Sequence, residues 1–132
     1  MEEPVFLTEE QAVSLNLRAI TKDGGTHGIL NRGLLSSAVA MPQASFEGRY
    51  LHDSMAAMAG AYLYHICQAH AFHDGNKRTA VLAAVVFLDL NGYDLEVDDD
   101  AFEELVVSVA THKAGKDRVT AFIKGHMVPR AI

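Results

Sequence analysis

Cysteine is nearly absent from this chain. Its single thiol, Cys67, excludes an internal disulfide and most cysteine-rich zinc modules. Set in an apolar helical stretch, Cys67 reads as a small buried hydrophobe and not as a reactive group. Cations are scarce as well. Eleven Lys and Arg face seventeen Asp and Glu, for a net charge of −6, which argues against nonspecific nucleic-acid binding because that relies on a positive field. No long apolar run exists. The longest, Ala80 to Leu88, falls well short of the roughly 18 residues that suggest a membrane span. The opening Met1-Glu2-Glu3-Pro4 lacks a charged-then-apolar signal pattern, so a cytoplasmic protein with no membrane contact is expected. Internal repeats, low-complexity segments and linkers are also missing. The 132 residues, 49% of them hydrophobic, therefore read as one domain over 1–132 with enough apolar surface to build a core.

What is present is mostly helix. Thr8-Glu9-Glu10-Gln11 is a capping-box start, with a hydroxyl at the N-cap and a glutamine three residues later. Val13, Leu17 and Ile20 then recur at helical spacing until Asp23-Gly24-Gly25 stops the helix. Asn31 can cap a second helix with Leu34, Leu35, Ala38 and Val39 as its apolar residues, ended by Pro42. Gln43 to Tyr50 has neither period and reads as an exposed loop or short hairpin, either a plain connector or a flap beside a site. Asp53-Ser54 opens a helix whose apolar face is Met55, Met58, Ala59, Tyr62, Ile66 and Ala69, with His70 at its end. The next begins at Gly75 or Asn76, is apolar nearly all round, and closes at Asn91-Gly92. Asp98-Asp99-Asp100 supplies anions at a further helix start, with Phe102, Leu105, Val106 and Val109 as the buried face; it lacks the alternating spacing of a calcium loop. A last helix from about Lys116 to Lys124 buries Val119, Phe122 and Ile123. No convincing alternating strand appears, and the expected fold class is all-α.

Between the two most apolar helices lies His70-Ala71-Phe72-His73-Asp74-Gly75-Asn76-Lys77-Arg78-Thr79-Ala80. His70 can accept a proton near neutral pH and so activate a hydroxyl. Asp74 is a hard oxygen ligand, suited to magnesium shared with phosphate oxygens. Gly75 permits a tight turn and a close approach of backbone to ligand. Asn76, Lys77 and Arg78 set an amide and two cations at a helix start, where unpaired N–H groups and the macrodipole already attract anions. Each piece has a bland alternative: a structural histidine at a helix end, an ordinary Asp-Gly-Asn turn, a solvated pair of cations. Together they read as a phosphate site with a base beside it, the parts that phosphoryl-type transfer needs.

His70-x-Phe72-x-Asp74-Gly75-Asn76-x-Arg78 resembles the Fic motif, and the eleven-residue form resembles the death-on-curing (Doc) branch of that superfamily. The likeness extends to Gly24-Gly25 with Gly28-Ile29, to the segment from Asn31 to Gln43, and to Phe87-Leu88-Asp89-Leu90-Asn91-Gly92-Tyr93. The resemblance implies a compact helical Fic/Doc fold with the motif in a loop between two central helices. It assigns His70 as the base for a target hydroxyl, Asp74 as the magnesium ligand, and Gly75, Asn76 and Arg78 as binders of nucleotide phosphates, with Phe72 anchoring the loop. Fic adenylyltransferases have glycine at the position of Lys77 and a second arginine at that of Val81. Doc proteins share both departures and pass on the terminal phosphate of ATP. The resemblance therefore implies an ATP-dependent protein kinase with Mg2+, in which Lys77 joins the phosphate binders, and adenylylation as the alternative, since the Fic-like Gly75 is kept. It further implies a toxin acting on a translation protein, elongation factor Tu, and silenced by a cognate antitoxin. The self-inhibitory pattern Ser/Thr-x-x-x-Glu-Gly/Asn of many Fic proteins is missing: Glu47-Gly48 is preceded at that spacing by Gln43.

Two other readings compete. His65, His70, His73 and Asp74 lie close enough in sequence to suggest a metal-dependent hydrolase, but no His-Glu-x-x-His pair shares a helical face, and His73 reads as a solvent-facing loop residue. An interaction module without activity is the other, opposed by the presence of every residue the chemistry needs.

Overall fold

The computed structural model describes residues 3–130; Met1, Glu2, Ala131 and Ile132, included in the one-domain reading, lie outside them. In chain order the elements are α1 (Glu9–Asp23), α2 (Arg32–Ala40), a 3₁₀ turn (Met41–Gln43), β1 (Ser45–Phe46), β2 (Arg49–Tyr50), α3 (Met55–Ala69), α4 (Asn76–Leu90), β3 (Tyr93–Leu95), α5 (Asp99–Ala110), α6 (Lys116–His126) and β4 (Met127–Pro129). The protein is mainly helical, as its periodicity predicts. The strands it does contain are short trims. β1 and β2 form a hairpin whose two-residue turn, Glu47-Gly48, has positive φ at both positions, the backbone twist that suits so tight a loop. β3 and β4 pair antiparallel, Asp94 opposite Val128, and so tie the last described residues back beside α4.

Helix α3 lies at the centre. Its residues from Met58 to Leu63 are all buried, so it has no solvent stripe over that stretch, and the single face expected from spacing is too narrow a description. Small side chains allow this. A Cβ on Gly60 would stand 2.9 Å from Thr120 Oγ1, so the glycine lets α6 approach closely, while Ala80, Ala83 and Ala84 of α4 are buried within the same core cluster. Helix α1 also differs from expectation. Its buried positions are Ala12, Leu15, Asn16, Ala19 and Ile20, whereas Leu17 is 49% exposed. The helix turns its small residues and an asparagine toward the motif, because close approach there matters more than bulk. Leu34 of α2 is likewise exposed.

The segment ahead of α1 is held by side chains far along the chain. Leu7 N–H donates to the Tyr62 hydroxyl at 2.8 Å, and burial pushes that phenol up to about 12. Asn91, beyond its role at the end of α4, accepts from Val5 N–H at 2.8 Å and donates to the Val5 and Phe87 carbonyls at 2.9 and 2.8 Å. Tyr62→Phe leaves the Leu7 N–H buried without a partner. The variant is expected to lose about 1–3 kcal/mol in urea unfolding, and an unchanged midpoint would show that the bond contributes nothing net.

A second polar bracket joins the loop before α3 to α3 and α6. Lys116 Nζ lies 3.1 Å from His52 Nε2 and 3.1 Å from His65 Nε2. Burial, and then the Lys116 charge, hold the His65 imidazole down to about 4 and lower His52 as well. Both rings accept from the ammonium only while neutral. The unfolded chain takes up these protons nearer pH 6.5, so the bracket's stability is complete above that value and declines as pH falls toward 4. Replacing His52 and His65 together by glutamine should flatten the loss of stability between pH 7 and pH 5, measured by denaturant titration; an unaltered slope would mean that other groups cause it.

Candidate active site

The motif loop connects the C-terminal end of α3 to the N-terminal end of α4, and left-handed residues stand at both of its ends. His70 caps α3 at φ 48°, ψ 43°, and Gly75 precedes α4 at φ 78°, ψ 17°. A histidine in this region is uncommon. The conformation leaves His70 exposed just beyond a helix whose other residues are buried or half-buried.

Between these ends the loop is fastened at three levels. Phe72 is 1% exposed and packs with Ala12, Leu35, Val39 and Ala71. The 28–31 segment runs antiparallel to it as a single bridge, Ile29 opposite Phe72, with Leu30 N–H donating to the Ala71 carbonyl at 2.7 Å and His73 N–H to that of Gly28 at 3.0 Å. Finally, the Asn76 side chain clasps Phe72: its Oδ1 accepts from Phe72 N–H and its Nδ2 donates to the Phe72 carbonyl, both at 3.0 Å. The Asn76 amide is therefore committed within the protein. What Asn76 offers a ligand is its backbone N–H. Asn76→Ala removes both bonds and is expected to lower stability by about 1–3 kcal/mol in urea unfolding, whereas Lys77→Ala at the neighbouring exposed position should stay near wild type.

The first turn of α4 has no side-chain cap, since Gly75 occupies the capping position. Its early N–H groups are left for an outside acceptor, and Lys77 and Arg78 stand exposed beside them. Arg78 Nε approaches Asp23 Oδ2 only to 3.9 Å, and both side chains are about half exposed, so this contact does little to restrain the guanidinium. Gly75, Asn76, Lys77 and Arg78 line one wall of an open cleft of about 560 Å³, with Lys22 and Asp23 from the end of α1. The rest of the lining comes largely from α5, which no sequence signal links to the motif: Asp99, Glu103 and the apolar Phe102, Val106 and Val107. Of the three aspartates at the start of α5, Asp98 is the cap, accepting from Asp100 N–H at 3.3 Å, and Asp99 faces the cleft. Only helix packing could reveal that.

His70 and Asp74 stand outside this lining, on the loop that feeds into it. Asp74 Oδ2 accepts from Thr26 N–H at 2.7 Å, and a Cβ on Gly25 would sit 3.0 Å from Asp74 Cβ, which explains the small residue there. The exposed carboxylate is a hard oxygen donor, as magnesium prefers. Among the described residues no three His, Cys, Asp or Glu side chains gather as a metal cage. One carboxylate is nevertheless the usual protein share for a magnesium ion held mainly by substrate phosphates, so the donor set fits that ion. It does not favour the zinc hydrolase. His65 is turned into the Lys116 bracket, while His70 and His73 are exposed loop residues. Cys67 is buried and its thiol is pushed up by that burial, with Lys77 acting in the opposite sense.

A mainly helical domain that presents this loop between its two central helices belongs to the Fic/DOC family, whose profile matches residues 6–88. The chain is 39% identical over 104 residues to Toxin Doc of Mycolicibacterium smegmatis, covering 77% of this chain and 80% of that protein. It is 29% identical over 105 residues to Protein kinase doc of Escherichia phage P1, covering 80% of this chain and 82% of that one. Among the described residues no helix is long and apolar enough to cross a membrane.

Proposed function

We propose that this protein is a Doc-type toxin that transfers the terminal phosphate of ATP to a hydroxyl of a translation protein, elongation factor Tu being the leading candidate. The observation that carries the reading is the uncapped, cationic start of α4, with Gly75 left-handed before it and Lys77 and Arg78 exposed beside it. Its similarity to a protein named as a kinase and to one named as a toxin supports both halves of the proposal.

In this reading the Gly75–Arg78 turn receives the phosphates through the backbone N–H groups of Asn76, Lys77 and Arg78 and through the two cations. These donors offset the charge that builds on the phosphoryl oxygens. His70 takes the proton of the attacking hydroxyl, whose oxygen bonds to the terminal phosphorus as the bond to ADP breaks; the proton then passes from the imidazole to solvent. Asp74 would hold a magnesium ion, which neutralises phosphate charge when bound. A cognate antitoxin would silence the protein from outside, in keeping with the missing Ser/Thr-x-x-x-Glu-Gly/Asn pattern.

Adenylylation is a second reading, favoured by Gly75. A Cβ there would stand 3.1 Å from Ile20 Cδ1 and 3.3 Å from Asn16 Nδ2, and the Fic pattern shares this glycine. Labelled ATP separates the two. Incubation with purified elongation factor Tu and with a bacterial lysate should transfer label from γ-labelled and not from α-labelled ATP, and His70→Ala should abolish transfer. Label from the α-phosphate would establish adenylylation, and activity surviving His70→Ala would remove His70 as the base. Arg78→Ala, losing one phosphate cation, should weaken ATP use by about tenfold or more.

A further inference from the structure

Asn16 is fully buried on α1 and has no part in the chemistry above. Its Nδ2 donates to the backbone oxygen of Asp74 at 2.9 Å and to Thr79 Oγ1 at 3.1 Å. One side-chain amide thus joins the residue before the left-handed glycine to the first turn of α4. Its Oδ1 is equally buried and meets no donor among the described residues. A buried oxygen without a partner is unfavourable, and an apolar side chain of the same shape would avoid it. What the position gains from an amide is therefore the pair of bonds made by its nitrogen. The amide cannot turn over, because Oδ1 would then face the Asp74 oxygen, acceptor against acceptor. A Cβ on Gly75 would lie 3.3 Å from the same Nδ2, so Asn16 also supports the glycine from beneath.

The consequence reaches the site. Fixing the Asp74 carbonyl fixes the plane of the 74–75 peptide, and with it the direction in which the chain enters α4. We propose that Asn16 is a positioning residue: it aims the anion-binding turn by holding the Asp74 carbonyl and the Thr79 hydroxyl together. The proposal deepens the nucleotide reading and rests on it for its effect on binding, though its effect on the loop stands without nucleotide.

The test uses the full chain in a His70→Ala background to limit toxicity, and reads amide hydrogen exchange, ATP–magnesium affinity by calorimetry, and thermal melting. Asn16→Ala should speed exchange at Thr79 and Ala80 by about tenfold or more while leaving Phe87 and Leu88 of the same helix unchanged, and should weaken ATP binding by about tenfold. Leu15→Ala, buried on the same helix in the core formed with α3 and α4, should lower the melting temperature yet keep ATP affinity within about twofold. Unchanged exchange at Thr79 and Ala80 overturns the proposal, as does an equal loss of affinity in Leu15→Ala. Asn16→Ser, too short to make both bonds, replaces Asn16→Ala if that variant does not fold. If neither folds, Asn16 is a core residue only and the proposal falls. Failure of the parent protein to bind ATP, with the exchange result intact, would sink the nucleotide reading and leave the positioning role standing.

Discussion

The bonds between Asn76 and the backbone of Phe72 are what the rest of the site depends on. The chain must reverse from α3 into α4 within a few residues, and both helices are locked in the core by their neighbours. Phe72, inserted between α1 and α2, marks the middle of that reversal and cannot leave without exposing its ring. Asn76 closes it, using one amide to satisfy both polar groups of Phe72. Helix α4 must then begin where it does, with a glycine at its cap and its leading N–H groups unclaimed by any side chain among the described residues. The uncapped N–H groups that the proposed phosphate site would use arise as a by-product of closing a loop this way.

Charge is organised around that point. The protein is acidic overall, yet its adjacent cations stand at the start of α4, and Lys22 adds a third from the end of α1. To the same cleft α5 contributes Asp99 and Glu103 among the apolar Phe102, Val106 and Val107. A ligand there meets three cations, the carboxylates of Asp23, Asp99 and Glu103, and the apolar surface of α5. Lys116 illustrates the opposite use of a cation. It is drawn between His52 and His65 and binds three elements together at a distance in sequence from the motif.

The helices were legible because their signals are local. Thr8 with Gln11, Asn31, Ser54 and Asp98 all cap as their side chains predict. Gly24 and Gly92 leave helices at positive φ, a backbone conformation that few other residues accept, and Pro42, which lacks an N–H, sits in the 3₁₀ turn that ends α2. Period alone misjudged α1, where Leu17 faces solvent and Asn16 is buried. A hydrophobicity pattern has no way to register that a buried amide will find a carbonyl 58 residues away. The β1–β2 hairpin falls where Gln43 to Tyr50 reads as a loop or short hairpin, whereas β3 and β4 have no signal in the sequence, since strands of three residues carry too little alternation to read.

By itself, the sequence determined the helical class, the family-specific motif and the chemistry available in it, because caps, turns and side-chain functional groups depend on neighbours along the chain. Tertiary structure alone decided which of those groups are free. It committed the Asn76 side chain to Phe72, left Lys77 and Arg78 exposed, set His70 and Asp74 outside the cleft that Gly75–Arg78 line, and brought α5 and the end of α1 to complete it. These outcomes depend on which helix packs against which, and on hydrogen bonds between residues far apart in the chain, which no local pattern encodes.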